Sequence, residues 1–151
     1  MRIAVDDPLR EDVAALIAFH AKTARGLIPQ GYAHALDAAA LVDPAITFFT
    51  ARDGETLLGM AALRAMSAEH VELKSMRTTP AALRRGVGRA LLAHVIAAAR
   101  ARGFARLSLE TGTGPMFVPA NALYEAAGFT DCAAFGGYPA SPHNRFMTMG
   151  L

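Results

Sequence analysis

The stretch that most constrains this chain is Arg84-Arg85-Gly86-Val87-Gly88-Arg89-Ala90-Leu91-Leu92, a glycine-punctuated basic turn that runs straight into a helix. Ahead of it lies the apolar-alternating segment Val71-Glu72-Leu73-Lys74-Ser75-Met76-Arg77-Thr78, closed by Pro80, so the order reads strand, turn, helix. Backbone N–H groups at a helix N-terminus lack intrahelical partners and carry the positive end of the helix dipole, so the layout is that of an anion cradle. Gly86 and Gly88 let the backbone approach a bound group without a Cβ in the way. Two better-known phosphate motifs are excluded. A P-loop needs Lys-Ser/Thr where Arg89-Ala90 stands, and a dinucleotide fingerprint needs a glycine where Leu91 stands.

At 151 residues the chain suits a single domain spanning 1–151, and 53% hydrophobic with 19% charged residues excludes a disordered one. The apolar residues are scattered among charges, with no run near the roughly 20 needed to cross a bilayer. The N-terminus, Met1-Arg2-Ile3-Ala4-Val5-Asp6-Asp7, turns acidic where a signal peptide would turn apolar, so the expectation is a soluble cytoplasmic protein with no membrane partner. Cys132 is the single cysteine, which rules out an internal disulfide and gives no zinc knuckle. It reads as a small buried filler, and no metal site is expected. Net charge is +2, with arginines concentrated at 84, 85, 89, 100, 102 and 106. Such a local patch favours a small polyanion over a nucleic acid, which would call for a broader basic stripe with exposed aromatics. Arg100 and Arg102 read as ordinary solvated helix charges.

Along the chain, Met1 to Val5 reads as an edge strand, and Asp6-Asp7-Pro8 opens a helix carrying Val13, Leu16, Ile17 and His20 at helical spacing. His20 is either a packing histidine or a functional one. Gly26, Pro29 and Gly31 break the chain into a loop, and a second, alanine-rich helix is expected from Ala33 to Leu41. Ile46 to Ala51, Thr56 to Met66 and Val71 to Thr78 read as an antiparallel meander, with a hairpin turn at Asp53-Gly54 and a close approach or bulge at Gly59. The helix from Gly86 to Arg102 carries Val87, Leu91, Leu92, Val95, Ile96 and Ala99 at spacings of three and four and ends at Gly103. A strand from Phe104 to Glu110 follows, so the crossover is parallel and the sheet mixed. A short helix around Ala120 to Ala127, a strand starting at Phe129, the loop from Gly136 to Asn144 and a last strand from Arg145 to Met149 complete the chain.

Three pieces together resemble the GNAT superfamily of N-acetyltransferases, on the side of its bacterial small-molecule enzymes. They are Glu72 to Thr78 before the turn, Arg84 to Leu92 at it, and Ala120-Asn121-Ala122-Leu123-Tyr124-Glu125-Ala126-Ala127-Gly128-Phe129 after it. The resemblance covers roughly residues 46 to 150. It implies an α/β fold of the α+β kind, with a mixed central sheet of about six to seven strands flanked by about four helices. It also implies acetyl-CoA as co-substrate and direct transfer of its acetyl group to the amine of a small-molecule or amino-acid-like acceptor. By resemblance, backbone N–H groups of Arg84, Arg85, Gly86, Val87, Gly88, Arg89 and Ala90 hold the pyrophosphate, and the pantetheine arm runs along Met76, Arg77 and Thr78. Homodimers are common in such families. Two positions depart from the pattern: Leu83 stands where Gln or Arg is usual, and Phe117 where an asparagine often contacts the cofactor.

An ammonium is no nucleophile, so the reaction calls for a base, oxyanion donors and an acid for the departing thiolate. The resemblance makes Tyr124 that acid, since a phenol of pKa about 10 keeps its proton at neutral pH. For the base, Glu72 is similar in strand position to the catalytic glutamate of the histone-acetylating branch. Glu110, at the end of the neighbouring strand, competes with it, and His143 and His20 are further candidates. A salt-bridged structural role is open for either glutamate. The acceptor pocket is expected between residues 27–36 and 135–143, from Tyr32, His34, Phe135, Tyr138, Ser141, His143 and Arg145, with Arg145 or Arg77 holding a substrate carboxylate. The alternative from another class is a non-catalytic acyl-CoA sensor or interaction module on the same fold.

Overall fold

A computed structural model describes residues 1–28, 31 and 34–151. Its strands are β1 (Arg2–Val5), β2 (Ile46–Asp53), β3 (Thr56–Ala65), β4 (His70–Thr78), β5 (Arg106–Gly112), β6 (Thr130–Asp131) and β7 (Asn144–Gly150). They form one seven-stranded sheet in the order β1-β2-β3-β4-β5-β7-β6. Among the described residues only the β4–β5 contact is parallel, and it is made by the crossover through α2 (Val87–Ala101). Two further α-helices, α1 (Glu11–Leu27) and α3 (Val118–Ala127), complete the three among the described residues. The sheet and α2 stand where the periodicity predicts them.

The helix expected from 33 to 41 is absent over its described part. Residues 34–37 have no regular structure, and only a short 3₁₀ turn, Ala40–Val42, follows. Alanine content favours a helix in isolation, but Asp37 Oδ1 accepts from the Ala40 N–H at 2.8 Å and starts the tighter turn instead. Leu41 is then buried against α1 and β2. The tertiary contact wins because a segment this short has little helical stability of its own.

The sheet is apolar on one face and divided on the other. On the first, α2 lays Val87, Leu91, Leu92, Val95, Ile96 and Ala99 against Phe49, Leu63, Val71, Leu73, Leu107 and Leu109. Each such aliphatic side chain contributes about 1.5–3 kcal/mol when fully buried, so this cluster dominates the stability of the fold. On the second face, α1 covers β2 and β3 through Val13, Leu16 and Ile17 packed with Phe48, Met60 and Ala62. Beyond α1, the same face turns polar under β4, β5 and β7: Glu72, Lys74, Ser108 and Asn144 are all buried there.

The edge of α1 is fixed by a buried arginine. Arg52 donates to Asp6 at 3.1 Å, to Asp12 at 2.8 and 3.1 Å and to the Glu55 carbonyl at 3.1 Å. Burial alone would raise the Asp6 carboxyl. Hydrogen bonds from the Thr50 hydroxyl, the Asp7 N–H and Arg52 outweigh it and hold Asp6 down at about 2.

Candidate active site

The site begins where β4 stops pairing with β5. The two strands share four rows, from His70↔Arg106 to Leu73↔Leu109, yet β4 runs on to Thr78 and β5 to Gly112. Past Leu73 the strands part and leave a cleft in the middle of the sheet. The next residue but one, Ser75, has a left-handed backbone at φ 53°, and the β3–β4 register shifts between Met60 and Ala62. This is a bulge, and its extra residue reverses which face each later side chain meets. Met76 thereby packs with the α2 cluster, and Arg77 turns to α1, where its Nε–H donates to His20 Nδ1 at 3.0 Å. The buried Ser75 hydroxyl finds no hydrogen-bond partner among the described residues.

The glycine turn abuts this cleft. Arg84 and Gly86 both hold positive φ, 62° and 80°, and Gly86 caps α2 without any side-chain bond. The first N–H to donate into the helix is that of Ala90, to the Gly86 carbonyl at 3.0 Å. The N–H groups before it are therefore the open donors of the first turn, and the alternating backbone hand there forms an anion-binding concavity. A positive φ at a non-glycine such as Arg84 costs of order 1–3 kcal/mol, so the surrounding structure holds the turn in this shape. Arg84, Arg85 and Arg89 are exposed around it. A Cβ built on Gly88 would lie 3.5 Å from Leu123 of α3, 3.7 Å from the Thr78 hydroxyl and 3.8 Å from Met76. The turn, the end of β4 and α3 thus meet at one point.

Tyr124 is the buried residue of α3. Asn121 fixes the helix by accepting from the Thr111 hydroxyl at 2.8 Å and donating to the Gly112 carbonyl at 3.0 Å, which ties α3 to the end of β5. Tyr124 packs edge-on against Phe129, with ring centroids 5.9 Å apart. Burial pushes its phenol up to about 12 against a smaller opposing pull from the Arg77 charge, so it keeps its proton throughout the neutral range. Burial likewise drives His20 down to about 4, with the Arg77 and Lys74 charges adding, and His20 stays neutral as an acceptor for Arg77.

On the opposite side of the cleft lies the polar cluster. Glu72, 1% exposed, takes Arg64 at 2.8 Å, Lys74 at 3.5 Å and the Tyr138 hydroxyl at 3.2 Å. Burial lowers the Lys74 ammonium despite the nearby Glu72 carboxylate. Tyr138, from the late loop, also accepts from Lys74 Nζ at 2.8 Å, and burial together with Glu72 pushes its phenol up. Glu110 is the first β5 residue past the last paired row. His34 Nδ1 lies 2.7 Å from each of its oxygens, and Glu110 accepts from Asn144 Nδ2 at 2.9 Å. A cavity of about 500 Å³ opens beside Arg64, lined by Leu36, Asp43, Ile46 and Met66 among others.

A family profile described as the acetyltransferase (GNAT) family matches residues 13–129. The chain belongs to the GNAT family. It is 42% identical over 149 residues to YedL of Escherichia coli (strain K12), covering 99% of this chain and 94% of that protein. It is 41% identical over 151 residues to YsnE of Bacillus subtilis (strain 168), covering all of both. Both relatives are named as uncharacterized N-acetyltransferases. Among solved structures, a Klebsiella pneumoniae protein named for an acyl-CoA N-acyltransferase superimposes with a TM-score of 0.82 at 25% identity, covering 99% of this chain and 97% of that one. A GNAT acetyltransferase from Elizabethkingia anophelis, solved with acetyl-CoA bound, gives 0.72 at 20% identity over 99% and 97%. The mixed sheet and its helices are those of a GNAT acyltransferase, and no described helix is long and apolar enough to cross a membrane.

Within this GNAT fold, the structure gathers Met76, Arg77, Thr78, the glycine turn and Tyr124 around one cleft. Glu72, Glu110 and Tyr138 come together on its other side. Arg145 does not join them. Period-two alternation on β7 puts Asn144, Phe146 and Thr148 toward the polar cluster and Arg145 on the opposite face, where it pairs with Asp131 at 2.6 Å and Glu125 at 2.9 Å. Tyr32 lies outside the described residues. His143 is exposed on the late loop, where its backbone N–H donates to the Ser141 hydroxyl at 3.1 Å. Of the two departures from the GNAT pattern, Leu83 is exposed, and the Phe117 ring packs directly on Gly112, where any Cβ would overlap it. Sequence reasoning missed Arg64, Lys74 and Asn144 as site residues. Charges at alternate positions of otherwise apolar strands, Glu72 and Lys74 facing Arg64, were the available signal.

Proposed function

We propose that this enzyme transfers an acetyl group from acetyl-CoA directly to the primary amine of a small-molecule acceptor. One observation carries the reading: the strand split at the Ser75 bulge lies against a helix N-terminus whose free N–H groups and exposed arginines form an anion cradle. The residues suit the co-substrate. Arg84 to Ala90 would hold its pyrophosphate through backbone donors, with Gly88 adding no side chain where the turn meets Met76, Thr78 and Leu123. Met76, Arg77 and Thr78 would flank the pantetheine arm in the split, beside an unpartnered Ser75 hydroxyl that a polar ligand can satisfy. The acetyl-CoA held by the Elizabethkingia anophelis relative of this fold supports that choice.

Acetyl-CoA supplies the activated acyl group. Tyr124, buried and protonated, serves as the acid that delivers a proton to the departing sulfur. The buried Glu72 spends its oxygens on Arg64, Lys74 and Tyr138, which suits holding the cationic side of the acceptor pocket more than abstracting a proton. The experiment is calorimetric titration of acetyl-CoA, then thiol release from it against a panel of amines, amino acids and aminoglycosides. Saturable binding with turnover on one class supports the reading. Absence of acetyl-CoA binding overturns it.

A further inference from the structure

The reading above leaves His34 and Glu110 without a task, and the hydrogen bonds around them determine the state of the imidazole. Asn144 is the starting point. Its Oδ1 accepts from the Ser141 N–H and the Ser141 hydroxyl, both at 2.8 Å, so its other terminal atom is the amide nitrogen. That Nδ2 donates to the Pro139 carbonyl and to Glu110 Oε2, each at 2.9 Å. Glu110 Oε2 is therefore an acceptor toward Asn144. His34 Nδ1, 2.7 Å from both Glu110 oxygens, is placed to donate its hydrogen between them, and that is the tautomer we assign. The second ring nitrogen, Nε2, is left with a lone pair.

The ring is held for use. It stacks on Tyr138 with centroids 4.6 Å apart, and the His34 carbonyl accepts from Lys74 Nζ at 3.4 Å. Nε2 has no hydrogen-bond partner among the described residues, and the side chain keeps 19% exposure. Its carboxylate partner stands at the first β5 position beyond the strand split. A histidine oriented by a carboxylate, with the opposite nitrogen unpartnered and the side chain part-exposed, is the arrangement that makes an imidazole a base.

We propose that His34 is the general base of this enzyme and that Glu110 and Asn144 are its positioning residues. The proposal rests on the acetyl-transfer reading and adds the group that activates the acceptor. The amine nitrogen bonds to the acetyl carbon as the carbon–sulfur bond breaks. One proton leaves the nitrogen for His34 Nε2, and one passes from Tyr124 to the sulfur, giving amide and thiol. The imidazolium, stabilised by Glu110, returns its proton through solvent to the Tyr124 oxygen. Imidazole suits the step because its class titrates near neutrality, whereas a carboxylate's proton affinity is too low at the same pH. The titratable and charged groups against His34 are Glu110 on β5, Lys74 on β4 at its carbonyl and Tyr138 on the late loop, with Glu72 and Arg64 reaching it only through Lys74 and Tyr138.

The test uses the full chain as wild type, His34→Gln, Glu110→Gln and Glu110→Asp. Acetyl-CoA affinity by calorimetry is expected to hold within about twofold in all variants, since the pair lies outside the cradle. The kcat/KM of His34→Gln should fall about 100-fold and lose the acid limb of its pH profile. Glu110→Gln should fall about tenfold and keep that limb at lower pH, because removing the carboxylate disfavours the imidazolium, and Glu110→Asp should recover part of the loss. Long-range proton–nitrogen NMR of the wild-type histidines needs no acceptor and should show His34 with Nδ1 protonated and Nε2 bare. An Nε2–H tautomer, or a His34→Gln variant with wild-type kcat/KM and pH profile, overturns the proposal while leaving acetyl transfer intact. Failure of the wild type to bind acetyl-CoA overturns the underlying reading itself.

Discussion

Replacing Gly59 by alanine tests how the glycine turn is held in place. An added Cβ would lie 2.9 Å from the Arg77 carbonyl oxygen and 3.0 Å from both Leu91 Cδ1 and Val87 Cγ1. None of these can yield cheaply. Arg77 belongs to the bulged end of β4, and Val87 is the first residue of α2, so relief must come from moving the helix that carries the cradle. Overpacking of this kind costs about 1–3 kcal/mol. Against it stands about 0.4–1 kcal/mol gained by restricting the unfolded chain. The net is a loss of about 1–2 kcal/mol, or about 2–8 °C in melting temperature for a chain of this size. Gly26→Ala provides the control. It sits inside α1 with nothing within 4 Å of its added methyl, so the same chemical change should be neutral or stabilising by up to about 1 kcal/mol. Urea unfolding of both variants measures the sign, and acetyl-CoA calorimetry should show weaker binding only for Gly59→Ala. A Gly59→Ala protein as stable as the wild type would refute the claim that β3 and α2 are in contact too tight for a methyl group.

Three further outcomes follow from the geometry. Tyr124→Phe should lower kcat about 10–100-fold while acetyl-CoA affinity stays within about twofold, and unchanged turnover would remove Tyr124 from the acid role. Arg145→Ala should leave acceptor kinetics unaltered and cost under about 1 kcal/mol in urea unfolding, since its partners are exposed acids on the far face; a raised KM for carboxylated amines would contradict this placement. For acid stability, Asp6 is depressed to about 2 in the folded state, so its contribution is full above the unfolded carboxylate pKa of about 3.9 and is lost as pH falls from about 5 through 2. Arg52→Met should cost about 3 kcal/mol at pH 7 and reduce the acid dependence of Asp6 and Asp12, the Thr50 and Asp7 bonds to Asp6 remaining, and parallel urea midpoints for wild type and variant from pH 7 to 2.5 would refute it.

The parts of this fold legible in the sequence are those with a local period. The stripe of α2 from Val87 to Ala99, the Asp53-Gly54 hairpin and the alternation of β4 and β5 each repeat over neighbouring residues, and they stand close to the expected limits. The segment after Gly31 was misread because alanine content is a propensity, and tertiary contacts overrode it. His34 is drawn to Glu110, 76 residues further on, and Leu41 is drawn into the α1 cluster. The bulge at Ser75 was equally hidden, since no glycine or proline marks its left-handed residue. That one hidden residue decides most of the site. Without it, strict alternation would send Met76 to the polar face and Arg77 under α2.

The bulge explains why two chemistries meet in one cleft. Up to Lys74, β4 keeps an apolar side for α2 and a charged side for the pocket. After Ser75 the sides exchange, and the apolar Met76 lies beside Gly88 while the cationic Arg77 faces α1. The strand therefore presents an apolar side chain beside the glycine turn at one end and a paired polar cluster at the other. The two meet at the point where β5 departs. Glu110 stands at that departure, held by groups from the early segment and from β7, so the early and late parts of the chain are joined across the mouth of the cleft. Tyr138 makes the same join through His34 and Lys74. Both connections run through residues far apart in sequence, which is why the glycine turn is visible in one local stretch and the polar cluster only in the folded molecule.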